Sequence, residues 1–227
     1  MYSPICWEKE NLLISERLYR GPSRYLLNLS LKQLSRYGNT NHLSGGRVLE
    51  IGTGRGECVK FITSHYDEYL ATDVSSWGKS SVLELGKTDE RIKFQLEDVQ
   101  QLSFPDNTFD RIVVSCVLAH VDEPFKALVE LRRVLKPKGI LSIFVSADPS
   151  ILLRIMRKFL VEPKMKDLSL PLSLVNAISH RNSAPSVISM AKYIYSKDLV
   201  SFGYYPLLLP FWNLATHVII NVVKAQN

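Results

Sequence analysis

Between Arg47 and Ser146, short β-branched or apolar runs alternate with helical patterns, and no other feature of the chain limits its fold as strongly. Such alternation is the signature of a parallel sheet covered by helices, an α/β architecture. Strands are expected at 47–51, 68–73, 92–97, 109–115 and 140–146. The helix at 124–136 is the clearest: Asp122 is placed to cap it, Pro124 suits its first turn, and Phe125, Leu128, Leu131, Val134 and Leu135 form one apolar face. Pro137 and Gly139 then stop it. Before residue 45 the sequence reads as one or two helices broken at Gly21-Pro22, and after 146 the pattern becomes irregular.

The stretch "YYPLLLPFWNLATHVIINVV" (204–223) nearly has the length of a membrane span. Pro206, Pro210, Asn213, His217 and Asn221 interrupt it, so two strands joined by a Pro-containing bend are expected instead. With 227 residues, 46% of them hydrophobic, the chain fits a single domain with a full core. The first thirty residues mix charged and apolar positions without a signal-peptide pattern, and the expected localisation is cytoplasmic. Cys6, Cys58 and Cys116 are odd in number and form no C-x-x-C pair, so free thiols are expected, with neither a disulfide framework nor a metal site. The net charge of +6 is compatible with an acidic substrate, an anionic membrane or nucleic acid and selects none of them.

"VLEIGTGRGE" (48–57) joins the first strand to a loop with three glycines at alternate positions. In an open α/β sheet the ligand sits at the carboxyl ends of the strands, so the residues just after them carry the binding. A dinucleotide fingerprint counted from Gly52 needs glycine at 57, where this chain has Glu57. A carboxylate in the first turn of a following helix repels a phosphate, while the glycine spacing still lets a flat ligand approach the backbone. The loop suits a ligand without phosphate, cationic rather than anionic.

With that loop, "YLATDVS" (69–75) and "QLEDVQQLSFPDNTFDRIVVSCVLAHVDEPFKALVELRRVLKPKGILSIFV" (95–145), the chain resembles the class I S-adenosylmethionine-dependent methyltransferases of the small-molecule type. The resemblance covers about a hundred residues. It implies a Rossmann-like, doubly wound, mostly parallel seven-stranded sheet with an antiparallel last strand. It also implies S-adenosylmethionine as cofactor, in contact with Glu50, Gly52, Thr53, Gly54, Gly56, Asp73, Val74, Asp98, Val99, Ser115, Cys116 and Val117. Asp73 would bind both ribose hydroxyls, Asp98 would accept from the adenine amino group and the amide of Val99 would face a ring nitrogen. The chain departs from the family at "KPKG" (136–139), where two glycines are common. The implied organisation is one methyltransferase domain over 1–227, with an N-terminal helical cap at 1–44, a cofactor-binding core at 45–146, a substrate-covering insertion at 147–198 and a final strand pair at 199–227.

The acceptor is less defined. "SCVLAHV" (115–121) lacks the Asn/Asp-Pro-Pro-aromatic motif of amino-methylating nucleic-acid enzymes, and no basic, aromatic-interleaved groove is evident, so nucleic acid is not expected. A small molecule or a lipid-linked one, acidic in some cases, is expected, methylated at oxygen or nitrogen. His120 and His180 are the candidate general bases, each with a structural role as its alternative. Tyr19, Arg20 and Tyr25 are placed to close over the cofactor, or simply to pack. In 150–175, Ile151, Leu152, Ile155, Met156, Phe159 and Leu160 share one side of a helix and Arg154, Arg157 and Lys158 the other. That helix is either a lid with its charges in water or an interfacial helix making peripheral membrane contact. A catalytically silent, cofactor-binding regulatory subunit is the alternative to an enzyme, and the sequence leaves the oligomeric state open.

Overall fold

A computed structural model describes residues 13–14, 17, 22–41, 45–166 and 171–226. Helix α1 (Pro22–Asn41) precedes strands β1 (Arg47–Ile51) and β2 (Glu68–Asp73), helix α2 (Lys79–Thr88), then β3 (Ile92–Leu96) and β4 (Phe109–Ser115). Helix α3 (Pro124–Val134) leads into β5 (Leu135–Ser146). The chain continues through α4 (Ile151–Met156), which widens into a π turn at Arg157–Val161, then α5 (Leu172–Ser179) and α6 (Ala184–Ile194). It ends on β6 (Leu199–Tyr205) and β7 (His217–Val223).

The seven strands lie in the order β3-β2-β1-β4-β5-β7-β6. The first five are parallel, while β7 runs antiparallel to both β5 and β6. Because the chain winds outward from β1 in one direction and from β4 in the other, the carboxyl ends of β1 and β4 flank the crevice where such sheets bind ligands. The sheet is covered on both faces, so its central strands read as nearly continuous apolar runs rather than alternating ones. Leu49, Ile112, Val114, Leu128, Leu131 and Val187 belong to one core layer; Leu34, Val48, Val82 and Val113 belong to the other.

Several expectations change. The helix expected at 124–136 ends at Val134, and the strand expected at 140 starts at Leu135. Pro137 disfavours helical torsions at Lys136, and a break in register between Phe109 and Arg111 absorbs the irregular start of β5. Asp122 does not cap α3: Glu123 occupies that position without a side-chain cap, and Asp122 pairs with Arg181. Phe125 is exposed and Ala127 is buried in its place, because Phe125 lies about a third of a turn from the middle of the buried stripe. Helix α1 does start at Pro22, and the stretch from 204 contains the end of β6, a bend with Pro206 and Pro210, and β7.

One tie between layers had no signature in the sequence. Arg111 on β4 is fully buried, and its guanidinium donates to Asn39 Oδ1, Ser64 Oγ and Ser35 O, each at 2.8 Å. Burial lowers its pKa to about 10, which leaves it charged at neutral pH.

Candidate active site

β1 ends in a loop that only glycine can build. Gly52, Gly54 and Gly56 all have positive φ, and a Cβ on Gly52 would come within 2.2 Å of Val117 Cγ2. The amides of Gly52 and Thr53 both donate to Thr72 O, which fastens the loop to the end of β2. Asp73, the last residue of β2, accepts from the Gly54 amide at 3.2 Å and from the Ser75 amide at 3.1 Å. Its carboxylate has further lone pairs to offer a ligand. Gly78, which the sequence reading passed over, seats the next turn: a Cβ there would stand 1.7 Å from Gly54 O.

An opening of about 360 Å³ lies over these strand ends. Of the expected cofactor residues, Gly52, Gly54, Asp73, Val74, Asp98, Val99, Ser115, Cys116 and Val117 line it, and so does His120. Glu50, Thr53 and Gly56 do not. Glu50 is buried beneath the loop, where its carboxylate accepts from Tyr69 Oη at 2.7 Å and Thr53 Oγ1 at 2.9 Å, and burial raises its pKa to about 7. Gly56 packs toward Leu85 and Val82. Asp98 accepts from the amide and the side-chain amide of its neighbour Gln100. Cys116 takes a left-handed torsion at the end of β4, and burial pushes its thiol up to about 11.

Among the described residues the wall carries Asp73, Glu97, Asp98 and Asp122 and has no lysine or arginine. No α-helix starts directly after β1, only a 3₁₀ turn at Val59–Phe61, so the helical turn expected around Glu57 is absent and Glu57 pairs with Lys60 instead. Both observations disfavour a pyrophosphate and fit a cationic ligand that needs close backbone approach and an acid for a hydroxylated sugar.

A second cavity, of about 620 Å³, lies beyond β5 and is lined in part by Asp148, Arg154, Arg157, Asn176 and His180. Asp148 follows β5 directly. Its Oδ2 stands 2.6 Å from His180 Nδ1 and 2.7 Å from an Arg157 nitrogen, and a second Arg157 nitrogen holds Oδ1. Burial opposes ionisation of Asp148, but the bonds from His180 and Arg157 outweigh it and hold the carboxyl far below the usual range. A carboxylate can only accept, so Nδ1 of His180 carries a proton, and in the neutral imidazole the lone pair then lies on Nε2. Arg157 also approaches His180 Nδ1 at 3.4 Å, but with that proton committed to Asp148 its coupling to the ring runs through the shared carboxylate.

Each cavity is lined by one of the two expected histidines, His120 in the first and His180 in the second. The rings of His120 and His180 are 4.8 Å apart, edge to face. His120 Nδ1 donates to Ser179 O at 2.9 Å. Desolvation and the adjacent His180 draw its pKa below the ordinary imidazole value, although the residue keeps part of its surface open. Asn182 holds the segments together: its side-chain amide donates to Leu118 O and Val121 O, and its backbone amide to Ala119 O. Asp148, Arg157 and Asn182 were missed in the sequence; only Asp148 had a signal there, its position at a strand end. Tyr25 is 70% exposed, and Tyr19 and Arg20 lie outside the described residues.

Residues 49–143 match the family described as "Methyltransferase domain". Over that segment, which is less than half of the chain, the sequence resembles the class I S-adenosylmethionine-dependent methyltransferases. It is 33% identical over 133 residues to a "Demethylmenaquinone methyltransferase" of Clavibacter sepedonicus, covering 56% of this chain and 53% of that one. It is 30% identical over 115 residues to the "Ubiquinone/menaquinone biosynthesis C-methyltransferase UbiE" of Coxiella burnetii, covering 48% and 46%. The chain thus spans about half the length of the curated relatives it matches. Among solved structures, an S-adenosylmethionine-dependent methyltransferase of Thermotoga maritima, described as a possible histamine N-methyltransferase, shares the fold with a TM-score of 0.62 at 19% identity, covering 95% of this chain and 97% of that one.

Proposed function

We propose that this chain transfers a methyl group from S-adenosylmethionine to a small-molecule or lipid-linked acceptor whose reacting atom must give up a proton, with His180 as the proton acceptor. The placement of His120 in the first opening and His180 in the second, with their rings 4.8 Å apart, carries this reading. When bound, S-adenosylmethionine supplies a methyl carbon activated by a sulfonium. The lining of the first opening holds the cofactor: Asp73 at the ribose, Asp98 and Val99 at the adenine, and the glycine loop against its backbone-facing side. His180 Nε2 would take the proton that the acceptor atom gives up on methylation. Asp148 keeps the imidazole in the required tautomer and stabilises the imidazolium, and Arg157 keeps Asp148 ionised.

A positioned base is needed for a hydroxyl or an activated ring carbon and dispensable for many amines. Two relatives carry names from quinone methylation, and one is called a C-methyltransferase, so a phenol- or hydroquinone-like ring is the acceptor class favoured here. In this reading residues 45–146 bind cofactor, 147–198 cover the acceptor, 1–44 cap the domain and 199–227 close the sheet. Incubation with S-adenosylmethionine and a panel of phenols, hydroquinones and amines, with and without alkyl tails, tests it by S-adenosylhomocysteine release. Turnover is expected with phenols or hydroquinones. Turnover on amines alone would remove the base, and tight cofactor binding without turnover on any acceptor would favour the regulatory subunit.

A further inference from the structure

Helix α4 does not behave as a lid that buries its apolar side. Ile151, Ile155 and Phe159 on α4 and its π turn are at least half exposed, as are Leu207, Leu208 and Phe211 in the bend between β6 and β7. The two segments form one surface: Ser150 Oγ, at the N-cap of α4, donates to Asn213 O and Ala215 O at the end of that bend, and also accepts from the Leu153 amide. Apolar area concentrated in this way marks an interaction site rather than the scattered exposure found on any surface.

The charges beside it have a single dominant sign. Arg154, Lys158 and Lys166 are exposed, with Glu162 the exposed acid in the same stretch, and neither Arg154 nor Lys158 has an ion-pair partner among the described residues. Arg157, expected beside them in water, turns inward to Asp148. Exposed aliphatic and aromatic groups flanked by unpaired cations are what an anionic lipid surface accepts, the former entering the headgroup boundary and the latter meeting phosphate. A second copy of the chain fits less well, since a two-fold contact on this patch would bring Arg154 and Lys158 toward their own counterparts.

We infer that the surface formed by α4, its π turn and the 206–214 bend docks on an anionic lipid bilayer. Ile151, Arg154, Ile155 and Lys158 belong to this surface and also line the second cavity, so docking sets the mouth of that cavity against the membrane. Among the described residues no helix is long and apolar enough to cross a bilayer, so the contact is peripheral. The inference does not depend on methyl transfer, because docking is measurable without donor or acceptor.

Sedimentation of the full chain with phosphatidylcholine vesicles, with and without phosphatidylglycerol, tests it at low and high salt. The chain should pellet with the anionic vesicles at low salt and be released as salt rises. The pair R154E and K158E together should weaken partitioning by about 30-fold or more, at about a tenfold change for each 1.4 kcal/mol and about 1 kcal/mol per cation removed. The pair F159S and F211S should abolish whatever binding survives at high salt. Thermal melts of both pairs that match the parent show that the fold is intact. Failure to pellet at low salt, or equal pelleting by all three proteins, overturns the inference. So does lipid-free self-association in velocity sedimentation that both pairs abolish, which would assign the patch to a second copy.

Discussion

The two cavities, one lined by His120 and the other by His180, are made from different material. The first opening lies at the ends of parallel strands, with glycine torsions, a strand-end carboxylate and an acidic wall. The second cavity, proposed to hold the acceptor, is lined by short segments after β5, held in place by Asp148, Arg157 and the bonds of Asn182. A site drawn from the sheet inherits the sheet's rigidity. A site drawn from loops and short helices depends on a few polar contacts, any of which a substitution can release.

The largest expected effect separates the two cavities outright. His180→Ala should lower turnover by about 100-fold to 10,000-fold and leave cofactor affinity within about twofold, because a positioned base acts on rate. Asp148→Asn should have much of the same effect by releasing the imidazole's tautomer. Steady-state kinetics together with calorimetry on the cofactor check both. Normal turnover in the two variants would mean that the acceptor cavity works by alignment alone.

Asp73→Ala reverses the pattern. Loss of the carboxylate proposed to meet two ribose hydroxyls should weaken cofactor binding by about 2–3 kcal/mol, since each charged hydrogen bond contributes about 1.5–3 kcal/mol and water replaces part of the loss. The intrinsic rate at saturating cofactor should change far less. Unchanged affinity by calorimetry would take Asp73 out of the site, and a fall in the saturated rate alone would erase the proposed division between cavities.

Glu50 bears on stability, outside both cavities. Its pKa is raised to about 7 from 4.5, so the proton it keeps in the fold favours the native state fully below about pH 4.5, and that contribution is lost as pH rises through 7. The parent should therefore lose about 2–3 kcal/mol relative to Glu50→Gln between those limits, at about 1.4 kcal/mol per unit. Gln can still accept from both Tyr69 and Thr53, whose bonds converge on one oxygen. Urea denaturation of both proteins across this range checks it, and parallel curves would show that Glu50 is ionised in the fold. His217, whose pKa burial lowers to about 4, loses its contribution as pH falls below the ordinary imidazole value and does so equally in both proteins.

Much of the core was readable in the residues. Strands β1, β2 and β4 occur where β-branched runs predicted them, because a strand buried on both faces must be apolar throughout and little else in a chain has that pattern. The ends of α3 were not, since Leu135 continues the apolar period of the helix yet hydrogen-bonds as a strand. Glu50 shows the same limit within the site: the motif names it, and packing turns it under the loop toward Tyr69.

The sequence by itself determined the alternation of strands and helices, the glycine loop after β1 and the acids at Asp73 and Asp98, because each is a local demand of backbone torsion, period or strand-end position. Only the tertiary structure decided that His120 and His180, far apart in the chain, share an edge, that Asp148 and Arg157 clamp one of them, and that the apolar side of α4 faces outward. Those outcomes depend on the β5 end, the α5 end and the 118–122 loop arriving at one place, and no spacing along the chain encodes a distance set by the packing of a whole sheet.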